Sequence, residues 1–188
     1  MIERVPPQNI EAEQAVIGGM LIEKEAISKV AEFLKADDFY REAHRLIFEA
    51  MLELFNKNEA VDLVTVTEVL RKNDKLEAVG GIAYITSLAN SVPTAANINY
   101  HGKIVEEKAL LRGLINSATH IASMGYEDTE AVADIIDKAE KMILEVSERK
   151  MSGDFVPIKS IIFDAFGKIE QLYASKGGIT GLATGFKD

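Results

Sequence analysis

Residues 80–124 read GGIAYITSLANSVPTAANINYHGKIVEEKALLRGLINSATHIASM, and one break inside them decides the fold. Pro93 lacks an amide hydrogen and its ring clashes with a preceding helical turn, so it cannot lie inside a helix, and it holds Val92 in extended backbone. The run from Asn90 to Thr94 therefore separates a compact apolar segment from a very long helical one, and Thr94 or Asn97 can cap the second. From Ile98 to Met124 there is no proline, and the only glycines are Gly102 and Gly113. A helix of that length runs to about 40 Å at ~1.5 Å per residue, longer than a small globular head needs. It reads as one arm of a projecting helical hairpin, with a head before the break and an arm and tether after it.

Composition narrows the function class. The 188 residues are 47% hydrophobic and 27% charged, which suits one or two domains able to bury a core. A net charge of −9 repels phosphate backbones, and no local basic patch offsets it, which argues against direct, tight nucleic-acid binding. The absence of cysteine excludes disulfides and thiolate metal sites. The longest apolar run, Ala15 to Ile22, is too short to span a bilayer, and MIERVPPQ lacks the apolar core of a signal peptide. The expectation is a cytoplasmic protein with no membrane association.

The head is read as a series of helices. Pro6-Pro7 ends an extended lead-in and Asn9 is the N-cap of a helix whose first turn carries Glu11 and Glu13, where the dipole favours anions. Its pair Gly18-Gly19 implies close approach of another helix. Ala26 to Leu34 repeats the helical period. Asp37-Asp38 is expected to cap a helix from Phe39 to Asn56, whose apolar stripe runs from Leu46 to Phe55. After a polar turn at Asn56 to Glu59, Asp62 caps Leu63 to Lys72. The run Val64-Thr65-Val66-Thr67 alternates like a strand, but Val66, Val69 and Leu70 keep the helical period and no second strand exists to pair with. Gly80-Gly81 closes a turn before Ile82 to Ala89, the last helix of the head.

Two apolar stripes run along the long helix, one through Ile104, Leu111, Ile115, Ala118 and Ala122, the other through Leu110, Leu114 and Ile121. A turn is expected at Gly125 to Asp128, with Asp128 or Thr129 capping a return helix from Glu130 to Glu148. That helix carries a seam of Val132, Ile135, Ala139, Met142 and Val146. A single antiparallel partner covers one stripe, so the other calls for a further partner, most simply a second copy of the chain. A short linker around Gly153 leads to Pro157, which opens an amphipathic helix with Ile158, Ile161, Ile162, Phe166, Ile169 and Leu172 on one face.

Chemistry is missing from this pattern. The thirty acidic residues fall mostly at caps and on polar helix faces. A di-metal bundle wants Glu-x-x-His pairs, and none of His44, His101 or His120 has a glutamate three residues before it. A phosphate loop wants two glycines five apart with lysine and a hydroxyl directly after. Here Gly181 and Gly185 are too close, and Phe186-Lys187-Asp188 comes next. No nucleophile has an adjacent base. No catalytic, cofactor-binding or metal residue is assigned, and the residues describe a binding and assembly module.

Five strings give that module a family. PPQNIEAEQAVIGGML, DDFYREAHRLIF, VDLVTVTEVL, GGIAYITSLANSVPTAANINY and TGLATGF occur in order over nearly the whole chain. Together they resemble the bacterial DnaB-type replicative DNA helicase, in its amino-terminal domain and linker. The resemblance implies an all-α fold, with a helical head over 1–97, a projecting antiparallel hairpin over 98–149, and a linker with a separate amphipathic helix over 150–180. Residues 181–188 would begin a RecA-like ATPase domain, to which ATP, magnesium and DNA contacts would belong. It implies self-association through hairpins (Ile104, Leu111, Leu114, Ala118, Ala122) and a hexameric ring in the parent. The linker helix would dock on a neighbouring motor through its Ile158–Leu172 face. It further implies recruitment of a DnaG-type primase, with Glu11, Tyr84, Ile115 and Ile121 standing where the family's primase-contacting or primase-modulating residues lie. A helicase loader is left open as another partner. Of the four, Ile121 is the preferred primase contact, because packing partners should be fewest near the tip. Two other classes compete: a stand-alone helical oligomerisation or adaptor protein, distinguished by native chain length, and a small helical enzyme, distinguished by turnover or bound metal.

Overall fold

The computed structural model describes residues 5–127 and 131–151, the side chains of 149–151 excepted. Among these residues every regular element is helical. The chain is all-α, with α1 (Ile10–Ile22), α2 (Ala26–Ala31), α3 (Glu42–Asn56), α4 (Leu63–Lys72), α5 (Gly81–Ser91), α6 (Ile98–Glu127) and α7 (Val132–Met151). A 3-10 turn spans Ala36–Asp38. The described residues all belong to one compact unit, residues 1–153. The expected linker helix, its face from Ile158 to Leu172 and the 181–188 stretch lie outside the described residues, as do the expected caps Asp128 and Thr129.

Helix starts follow side-chain chemistry where it is local. Asn9 accepts the amide of Ala12 at 3.0 Å and starts α1. Asp62 accepts from Val64 and Thr65 at 2.9 and 3.0 Å, and Thr65 Oγ1 accepts the Asp62 amide in return, a reciprocal box that fixes α4. The Thr65 amide, more than the Thr65 hydroxyl and the Val64 amide, holds the Asp62 carboxyl below its ordinary value. Val92, ahead of Pro93, is extended at φ −119° and ψ 118°. Thr94 Oγ1 accepts the Ala96 amide at 3.2 Å, and the Asn97 carbonyl accepts His101 N, so the two residues share the start of α6.

Three expected boundaries are corrected. Asp37-Asp38 does not cap α3, which begins at Glu42 rather than Phe39. The buried Asp38 carboxylate instead accepts the Lys35 amide at 2.8 Å within the 3-10 turn. The backbone entering α3 is held from across the core: Glu13 Oε1 accepts the Tyr40 amide at 2.7 Å. Nor is Gly125 to Glu127 a turn, because α6 continues helically through Glu127. One glycine costs about 1 kcal/mol, and no proline stands nearby to stop the helix. The return helix starts at Val132 rather than Glu130.

The core is assembled on α1, which packs against both α5 and α6. Val16, Ile17 and Met20 of α1 are fully buried with Ile47, Phe48 and Met51 of α3 and Ile85 and Leu88 of α5. Close approach is the use of two glycines. A Cβ on Gly18 would overlap the Leu88 carbonyl oxygen, and one on Gly102 would stand 2.8 Å from the Phe33 ring. The proline break is not a packing boundary. Ile98, Gly102, Val105 and Ala109 are buried, so the first three turns of α6 belong to the core of the head. Ile104, assigned by resemblance to self-association, is partly buried against that core.

Candidate functional site

Three features of the described surface stand out: a buried polar chain under α5, an arginine anchor at the base of the arm, and the exposed apolar side of the arm.

The polar chain begins at Glu13, which the sequence places as a first-turn acid and the fold buries completely. His44, also fully buried, brings Nδ1 to 2.6 Å from Glu13 Oε2. Since the same carboxylate accepts the Tyr40 amide, it is an acceptor, and Nδ1–H donates. Nε2 then accepts from the Tyr84 hydroxyl at 2.8 Å, and the Tyr84 oxygen accepts from Arg41 Nη1 at 3.2 Å. Donors and acceptors are matched along the chain, with the Tyr84 ring nearly parallel to His44 and the ring centroids 6.0 Å apart. The arrangement holds the partly exposed Tyr84 in one place.

The anchor is Arg112. It donates to the Pro7 carbonyl at 2.8 Å and the Asp38 carbonyl at 2.5 Å, and lies 5.8 Å from the Tyr40 ring centroid. These contacts tie the arm to the lead-in of α1 and to the 3-10 turn. Burial pushes the guanidinium pKa down from its ordinary value.

Beyond Arg112 the arm leaves the core. α6 and α7 run antiparallel, with Gly113 opposite Val146 and Ser117 near Met142. Ile135, Ala139, Met142 and Val146 are the half-buried positions of the α7 seam, while Val132, expected in it, is 69% exposed. On α6 the covered side is Leu110, Gly113, Ser117, Ile121 and Met124. Leu111, Leu114 and Ile115 remain 45%, 44% and 49% exposed, with Ala118 and Ala122 exposed beyond them. An apolar cleft of about 540 Å³ joins this side to Ile143 and Val146 of α7.

The four residues assigned by resemblance to primase are distributed over these features. Glu11 is exposed on the first turn of α1, Tyr84 is fixed by His44 and Arg41, and Ile115 is exposed on the arm. Ile121 is half-buried on the side turned to α7, against the expectation that it would have the fewest packing partners. Its register, four residues on from Ser117, explains this, since residues four apart share a helix face. Nothing local in the sequence signals the roles of Glu13, His44 and Arg112. Glu13 has a sufficient local explanation as a first-turn acid, His44 is one of three scattered histidines, and Arg112 falls among polar-face residues. Among the described residues no three carboxylate or imidazole side chains are grouped to hold a metal.

Comparison with known proteins places this geometry. Residues 5–107 match the model of the DnaB-like helicase N-terminal domain. The chain is 52% identical to the replicative DNA helicase DnaC of Bacillus subtilis (strain 168) and 48% to the replicative DNA helicase DnaB of Geobacillus stearothermophilus, over 99% of its length in each case. It spans 41% of each of those proteins. The crystal structure of the N-terminal domain of DnaB helicase from Mycobacterium tuberculosis superposes with a TM-score of 0.73 at 43% identity, covering 75% of this chain and 99% of that one. A structure of a DnaB-like replicative helicase, described with its interactions with primase, gives 0.66 at 29% identity over 95% of this chain and 39% of that one.

Proposed function

The chain belongs to the family of DnaB-like helicase N-terminal domains, and from that premise we propose that it is the non-catalytic assembly and primase-recruitment part of a hexameric, ATP-driven replicative helicase. DNA unwinding, ATP and magnesium belong, on this reading, to the rest of such a protein. The observation that carries it is the row Leu111, Leu114 and Ile115, about half exposed on a helix whose adjoining side is already covered by α7. Rows of large apolar side chains at that exposure mark protein–protein contact. The described DnaB-like structure with primase interactions supports primase as the partner class. Ile115, and not the half-buried Ile121, is the arm residue best placed to meet it.

Light scattering behind size exclusion tests the proposal, on the chain alone and mixed with the helicase-binding domain of its cognate primase. The expected result is a species that gains mass with primase and loses the gain in Ile115→Asp at unchanged helical content. Equal mass gain in wild type and variant would remove Ile115 from the interface, and no gain in either would overturn recruitment by this chain.

A further inference from the structure

A second surface lies beside the arm, where the Ala36–Asp38 turn faces α6. Asp37, Tyr40, Arg45, Arg112 and Asn116 line a polar groove of about 410 Å³ there. Its two guanidiniums are unequally satisfied. Arg112 donates to the Pro7 and Asp38 carbonyl oxygens. Arg45 Nε is buried without a hydrogen-bond partner, and its nearest carboxylate, the largely exposed Asp37, is 3.7 Å away. The Arg45 side chain is 39% exposed, so its outer nitrogens, and not the shielded Nε, are the donors that a docked acceptor can reach.

The chemistry of such an acceptor is set by the walls. Two guanidiniums with an amide at Asn116 present donors toward an oxyanion, and the fork of arginine matches a planar carboxylate. An extended polyanion would meet the field of a chain carrying −9, whereas one carboxylate balances a groove whose two guanidiniums outnumber its single lining carboxylate, Asp37. Tyr40, 38% exposed with the Arg112 guanidinium 5.8 Å from its ring centroid, makes the arginine–tyrosine combination over-represented at protein interfaces. We propose that this groove receives a carboxylate side chain of a partner protein, held between Arg45 and Arg112. The proposal rests on the groove alone, so it stands or falls apart from primase recruitment through Ile115.

The test follows the arginine Nε–H and asparagine amide signals of the full chain by ¹⁵N-resolved NMR. The probes are a capped AAEAA peptide, its AAQAA counterpart and inorganic phosphate. AAEAA is expected to shift Arg45, Arg112 and Asn116 saturably, and AAQAA and phosphate to bind roughly tenfold more weakly or not at all. Asn116→Asp, an exposed site where a new carboxylate competes with the ligand, is expected to weaken AAEAA by roughly tenfold or more. So is Arg45→Gln. Phosphate binding as tightly as AAEAA would replace the protein occupant with a free oxyanion. Shifts that do not saturate, or that survive both substitutions, would overturn the site.

Discussion

His44 shows how much one buried side chain holds together. It joins α1 to α5 through Glu13 and Tyr84, and Glu13 in turn fixes the backbone entering α3. Removing the imidazole leaves a carboxylate fully buried with one of its partners gone. Removing a hydrogen-bond donor from a buried carboxylate costs about 2–3 kcal/mol. His44→Leu should therefore lower the unfolding free energy by that amount, seen as a lower urea midpoint at unchanged slope. Tyr84→Phe, which keeps the ring and removes only the outer hydroxyl, should cost about 1 kcal/mol. Equal losses in the two variants would mean that the Glu13–His44 pair contributes no more than the outer Tyr84 hydroxyl.

At the scale of the element, α7 differs from every helix of the head. None of its described side chains is buried, and only Ile135, Ala139, Met142 and Val146 are half-covered. Helices with so little apolar cover open locally at a fraction of the global free energy. Amide exchange should therefore run fastest in α7 and the outer half of α6, and slowest in α1 and α3. Equal protection of α7 and α1 would show that the arm is covered in solution by something beyond α6. The same elements show what the sequence can and cannot reveal. α4 is legible because Asp62, Thr65 and the spacing of Val66, Val69 and Leu70 are all local. α6 is legible because an unbroken run after Pro93 admits little else. The start of α3 is not, since its anchor Glu13 lies 27 residues earlier than Tyr40 and two aspartates nearer by imitate a cap. Periodicity also marks two stripes on α6 without saying which one α7 covers. That choice is made by register across the antiparallel pair, a tertiary property.

For the molecule as a whole, two opposing terms decide whether copies associate. The exposed row of Leu111, Leu114 and Ile115 with the adjoining cleft favours pairing, because burying it removes apolar surface from water. The net charge of −9 on each copy opposes it. The two respond differently to salt. Raising ionic strength from about 0.05 to about 0.5 M shortens the Debye length severalfold and weakens the repulsion, while apolar burial is little affected. Pairing of copies through this row should therefore tighten with sodium chloride, seen as a lower dimer dissociation constant in sedimentation equilibrium. Leu111→Asp with Leu114→Asp should leave a monomer at both salt concentrations, since neither side chain is needed in the core of the head. If association instead loosened as salt rose, complementary ion pairs would be holding the copies together. The apolar row would then be free for a different partner even in the self-associated state.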